Sequence, residues 1–174
     1  MKRLSFLLAV LCLMASVHAK KPEDRYVMKT FENGQLYFIL PFDIPSLSVK
    51  TKPLSADITH LTTTDSVSLK ISVWSVNELS ADSIVLEGSE RLVITDFETF
   101  FIEPDGKLWL HRYSMSFPLS ILTRLYTSPL PFKLNVFANE NKIQYGWKEK
   151  EWKKEQEWMN KILHIIDNNR RFFK

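Results

Sequence analysis

The chain has 174 residues, with 23 basic and 20 acidic side chains, one cysteine and four glycines. One cysteine leaves no disulfide framework and no cysteine-rich metal site, and the near balance of charge points away from nucleic acid. Four separated glycines cannot build a loop that cradles phosphate.

The first 19 residues read as a Sec signal peptide. Lys2 and Arg3 form a basic start, residues 4–14 are apolar apart from Ser5, and Val17 and Ala19 occupy the −3 and −1 positions of an A-x-A-like cleavage site. The apolar run, even taken to Val17, is shorter than the roughly 20 residues that a membrane-spanning helix needs. Cys12, preceded by Leu11, lies inside that run, so a lipoprotein signal does not fit. Cleavage after Ala19 predicts an exported chain, periplasmic or extracellular. Without Lys2 and Arg3 the basic count falls from 23 to 21 against 20 acids, a net charge of +1. The mature chain then contains no cysteine and no N-x-[ST] sequon, which points to a bacterial envelope.

Residues 20–34 are polar and end in Asn33-Gly34, and they read as a loosely held lead-in to a single domain over 35–174. Strands are predicted at 35–40, 46–51 and 56–61. Over 66–74, Val67, Leu69, Ile71 and Val73 alternate with serines, Lys70 and Trp74, the pattern of a strand with one face on a core. Strands at 82–87 and 91–95 flank Gly88-Ser89, which suits a two-residue II′ turn. Strands at 97–103 and 107–115 flank Pro104-Asp105-Gly106, where proline presets φ and glycine accepts a positive one. Strands at 132–138 and 142–147 follow, around Asn139-Glu140-Asn141.

Two segments carry helical spacing. Residues 116–127 place Pro118 near a first helical position, with Leu119, Leu122, Leu125 and Tyr126 apolar. Residues 148 to about 171 put Met159, Ile162, Leu163, Ile166 and Phe173 on one stripe, widened by Trp158, Ile165 and Phe172. Hairpins in series imply antiparallel pairing, and the stripe must be buried. The fold class expected is mainly β (α+β): an antiparallel sandwich or barrel-like sheet, a short internal helix and a long amphipathic C-terminal helix packed on the sheet.

No catalytic motif, metal site or cofactor site is predicted. His60, His111 and His164 are scattered; His164 falls on the polar face of the last helix, and His60 lies on the opposite strand face from Asp57. Aromatic residues make up 13% of the chain and are its remaining signal. Trp109, His111 and Tyr113 share one face of a strand that reads as core, or else as a ligand face. Trp74 sits among Ser and Lys, where an exposed indole can stack on a sugar or enter a protein interface. These four residues are the candidate binding set. The function expected is an exported, non-catalytic binding or envelope-associated module that takes a protein or glycan partner, with no nucleic acid and no transmembrane span in the mature chain. A carrier of a small apolar ligand is the alternative, because element order and size resemble a lipocalin-like plan; no Gly-x-Trp stands near the mature start, and the helix at 116–127 interrupts a meander. An enzyme whose site forms only in three dimensions is the third reading.

Overall fold

A computed structural model describes residues 22–47, 51–139 and 141–173, so the signal segment lies outside the described residues. Ten strands appear among them: β1 (Tyr26–Phe31), β2 (Gly34–Ile44), β3 (Leu54–Leu61), β4 (Ser66–Ser75), β5 (Ser83–Glu87), β6 (Arg91–Ile94), β7 (Glu98–Asp105), β8 (Leu108–Pro118), β9 (Lys133–Ala138) and β10 (Asn141–Gly146). Helix α1 (Leu119–Thr127) lies between β8 and β9, and α2 (Glu149–Arg170) follows β10. All pairings are antiparallel. One sheet runs β1-β2-β3-β4-β8-β7 and the other β10-β9-β5-β6. Two separate sheets make a sandwich rather than a closed barrel, with α2 packed on the sheet.

Alternation builds the core. His60 pairs with Val67, Ile58 with Leu69 and Ala56 with Ile71; across the next ladder Val67 meets Phe117, Leu69 meets Met115, Ile71 meets Tyr113 and Val73 meets His111. Every one of these side chains is buried on the same face. Leu86 and Leu134 of the second sheet meet Ile58, Leu69 and Phe117 around a void of about 10 Å³, together with Leu122, Leu125 and Tyr126 of α1. A carrier of drug-sized ligands needs roughly 300–1,000 Å³. The void among these residues falls far short of that.

The helices close one end of the sandwich. Pro118 precedes α1 as its N-cap, and the Leu119 N–H bonds the Asp65 carbonyl at 2.8 Å. At the other end of α1, α2 supplies partners: Gln156 donates to the Tyr126 and Ser128 carbonyls at 2.8 and 2.6 Å, and Asn160 to Tyr126 at 3.1 Å. The last carbonyls of a helix have no partner within it, so α2 caps α1 from the side. Helix α2 buries Trp152, Trp158, Met159, Ile162, Leu163 and Ile166. Trp152 stands at the centre of an aromatic hub, with ring centroids 5.2 Å from Tyr126, 5.5 Å from Phe132 and 5.4 Å from Trp147. Phe172, placed on the stripe by periodicity, lies beyond the helix and is exposed.

Four local expectations need correction. Residues 26–31 of the supposed lead-in form β1, paired along its whole length with β2. An edge strand is wet on both sides, so no alternation announces it. The strand at 35–40 does not stop at Pro41; it runs to Ile44 through a register shift between Ile39 and Phe42, the kind of bulge where proline is tolerated. Of the separate strand expected at 46–51, Ser46 forms a bridge to Tyr145 and Thr51 belongs to no strand, while residues 48–50 lie outside the described residues. Finally, Glu87 pairs with Arg91, so Gly88-Ser89-Glu90 is a three-residue loop, and Gly88 does not take the positive φ of a II′ turn.

The hairpin at Gly106 matches its expectation in the positive φ of the glycine, but Pro104 and Asp105 belong to β7 and not to the turn. Asp105 pairs with Leu108, leaving Gly106-Lys107 as the loop, and Gly106 has φ +65°. Nothing lies within 4 Å of a Cβ built there. Gly106→Ala should therefore cost about 1–2 kcal/mol through backbone conformation alone, read as a lower urea midpoint, while Gly106→Asn should recover part of the loss.

Candidate functional site

The four candidate residues fall on two faces. Trp109, His111 and Tyr113 project toward the second sheet; His111 and Tyr113 are 0% exposed, and Trp109 is half-buried at the strand end, opposite Ser75 and Pro104. Phe97 packs edge-on to Tyr113 at 5.5 Å, and the His111 and Tyr113 rings stack at 6.3 Å. His111 and Tyr113 are core.

His111 nonetheless sits just beneath a surface crevice of about 280 Å³ lined by Ser75, Asn77, Glu78, Leu79, Asn139 and Lys142 among others. Its Nε2 lies 2.7 Å from Ser75 Oγ, and the Ser75 hydroxyl donates to the Asn77 carbonyl. That hydroxyl has one proton. With it committed to Asn77, the hydrogen bond to the ring must run from His111 Nε2–H to Ser75 Oγ, leaving Nδ1 as a buried lone pair without a partner. A serine nucleophile needs the reverse, a hydroxyl proton aimed at an imidazole lone pair. Burial holds the His111 pKa below its ordinary value, against the opposing pull of Glu78 and the Leu79 and Asn77 carbonyls. The pair locks the end of β4, and its geometry does not prepare an attack.

His60 is likewise buried on the inner face, its Nδ1 bonded to the Ser66 carbonyl at 2.9 Å. Asp57 faces the other way and pairs with Arg112. His164 is exposed and contacts Asn168 at 3.1 Å. Among the described residues, no three His, Cys, Asp or Glu side chains converge as metal ligands, and no helix is long and apolar enough to cross a membrane.

Trp74 belongs to the outward face of the six-stranded sheet, where buried and half-exposed positions alternate along β3, β4 and β8. Its strand neighbour is Leu110, which pairs onward with Glu103; beside them Ser72 pairs with Arg112, and Arg112 with Phe101. Two residues of β7 were not foreseen. A register shift between Thr99 and Phe101 lets Phe100 and Phe101 both stand on the surface, 42% and 39% exposed. Lys70 sits over the Phe100 ring at 5.5 Å, which places that ring on the outward face. The adjacent Phe-Phe pair was the available signal, because a regular strand sends consecutive side chains to opposite faces.

Arg112 is held at the centre of this face by Asp57 and by a 2.6 Å bond to Ser72 Oγ. Trp74 is held as well. Its Nε1–H donates to Asp105 at 2.7 Å, and the Lys52 ammonium lies 5.2 Å over its ring while also bonding Asp105 at 2.7 Å. These two hydrogen bonds keep the Asp105 carboxyl below the usual carboxylate range. The indole is thus partnered at its N–H and on a ring face, which weakens it as a stacking platform for sugar. The face instead combines anchored aromatic rings and a fixed arginine, residue types enriched at protein interfaces, beside the apolar Leu110. Comparison with known protein families, with curated proteins and with solved structures gives no match for this chain.

Proposed function

We propose that the chain is an exported, non-catalytic binding module that takes a protein partner on the outward face of its six-stranded sheet. The observation that carries this reading is the cluster of Trp74, Phe100, Phe101 and Leu110 around the Asp57–Arg112 ion pair. Export rests on residues 1–19 alone. A protein is favoured over a glycan because Lys52 and Asp105 already engage the indole.

The test places a photoreactive amino acid at Phe101 in cells that produce the protein, with the same probe at Phe137 in the other sheet as control. A discrete protein adduct at 101, absent at 137 and lost when Phe100→Ser and Arg112→Ser are added, is the expected result. Equal labelling at both positions, or none at 101, overturns the binding reading. Mass analysis of the recovered chain separately checks export: it should begin at Lys20, and retention of Met1 in the cytosol rejects the signal peptide.

A further inference from the structure

The described residues form four sheet edges, and three of them are closed to further pairing. Strand β7 carries a bulge at Phe100, Pro104 and three acidic residues, Glu98, Glu103 and Asp105. Strand β6 is only four residues long. Alongside β10 runs the segment that follows β2, through Leu47 N–H to the Gln144 carbonyl at 2.8 Å and Gly146 N–H to the Pro45 carbonyl at 2.9 Å. Short length, charge, proline, bulges and cover are the usual protections of an edge. Among the described residues strand β1 is without proline, bulge or cover, and Lys29 is its one protection of this kind. It pairs without interruption on one side, carries Lys29 as its single charge, and leaves Val27, Met28 and Phe31 exposed.

Hydrogen-bond parity says which groups of β1 are free. Gln35 directs its N–H to Thr62 Oγ1 and its carbonyl to the Thr62 N–H, so its backbone points toward β3. Thr30 lies opposite Gln35, hence in a non-hydrogen-bonded position of the β1–β2 ladder. By alternation the backbone groups of Tyr26, Met28 and Thr30 therefore point outward from the sheet.

We infer that this edge is the contact surface for a second copy of the chain, β1 against β1 in antiparallel order across a two-fold axis at Met28. In that register Met28 pairs with Met28 of the other copy and Tyr26 with Thr30. All three outward-facing residues are then used, for about six hydrogen bonds. Lys29 lies opposite Val27, where its aliphatic stem covers an apolar side chain. The two neighbouring registers that keep the parity, centred on Val27 and on Lys29, each use only two of the three outward residues, for about four hydrogen bonds, and the second also sets two ammonium groups directly opposite each other. The strand is thus most fully its own complement in the register centred on Met28. The two sheets become one of twelve strands, and the Phe100–Phe101 patches lie at its far ends. This inference does not depend on the binding reading above, because β1 and β7 are opposite edges of the sheet.

A contact this small is concentration-dependent, so sedimentation velocity of the purified chain from about 5 to 500 µM suits it. The wild type should move from monomer toward dimer. Met28→Pro removes only outward N–H groups, so the β1–β2 ladder survives while association weakens at least about tenfold. Met28→Lys and Met28→Glu each set like charges against themselves on the axis and should stay monomeric, whereas their equimolar mixture should associate. That rescue belongs to self-pairing at residue 28 and keeps the test decisive even if the proline variant misfolds. A wild type that stays monomeric throughout, or a mixture that does not associate, overturns the inference; the edge would then be free for a strand of another protein.

Discussion

Replacing Trp152 by alanine should remove about 3–5 kcal/mol of stability, the range for truncating a large buried aromatic. Trp152 is 1% exposed, and its ring touches Tyr126 from α1, Phe132 from the segment before β9 and Trp147 from the segment before α2. One truncation therefore opens a hole where α2 meets α1 and the approach to the second sheet. A domain of this size is stable by about 5–15 kcal/mol, so the loss is a large part of the whole. The phenylalanine variant should behave differently. The Trp152 Nε1–H is buried without a hydrogen-bond partner, and Trp152→Phe deletes that uncompensated donor while keeping most of the ring. Urea unfolding followed by far-UV circular dichroism measures both. A midpoint for Trp152→Ala within error of the wild type would mean that the hub does not hold the helix.

Stability should also fall in mild acid, through His60 and His111. Unfolded, each imidazole titrates near 6.5. In the folded chain burial disfavours the imidazolium and lowers both pKa values; the nearby Arg170 adds to this at His60, where Asp65 and the Ser66 carbonyl oppose it. Between the two values the unfolded chain binds a proton that the native chain does not. Stability is therefore complete above pH 6.5, declines as pH falls through it, and levels off below the folded pKa. The slope is at most about 1.4 kcal/mol per pH unit for each histidine. Urea midpoints at stepped pH from 7.5 to 4.5, expected to fall in this window, provide the measurement. The His60→Gln and His111→Gln double variant should flatten the decline. An unaltered slope in the double variant rejects the assignment.

The inner face of β3, β4 and β8 and the buried stripe of α2 were legible because one-sided burial writes a period of two or 3.6 into the chain. Trp74 was also readable as lying on the polar face of its strand, and Trp109, His111 and Tyr113 as sharing another. What local pattern does not contain is register. Only the pairing of Trp74 with Leu110, and of Arg112 with Phe101, assembles the outward cluster. Strand β1 was invisible because five of its six side chains are exposed, and Gly88 misled because a turn residue fits loops of several lengths. Phe100 was hidden by the bulge.

The capping of α1 by Gln156 and Asn160 has a bearing on how this domain comes apart. If α2 lifts away, the carbonyls of Tyr126 and Ser128 lose their donors while Trp152 leaves the hub. The same movement breaks the Asn169–Tyr37 and Arg25–Glu155 contacts, which close loops of 132 and 130 residues. Opening one helix thus unfastens the first strands, the middle of the chain and its last helix together. A partly open state would bear nearly all the losses and recover little chain entropy until everything is released, so this architecture favours all-or-none opening over local fraying.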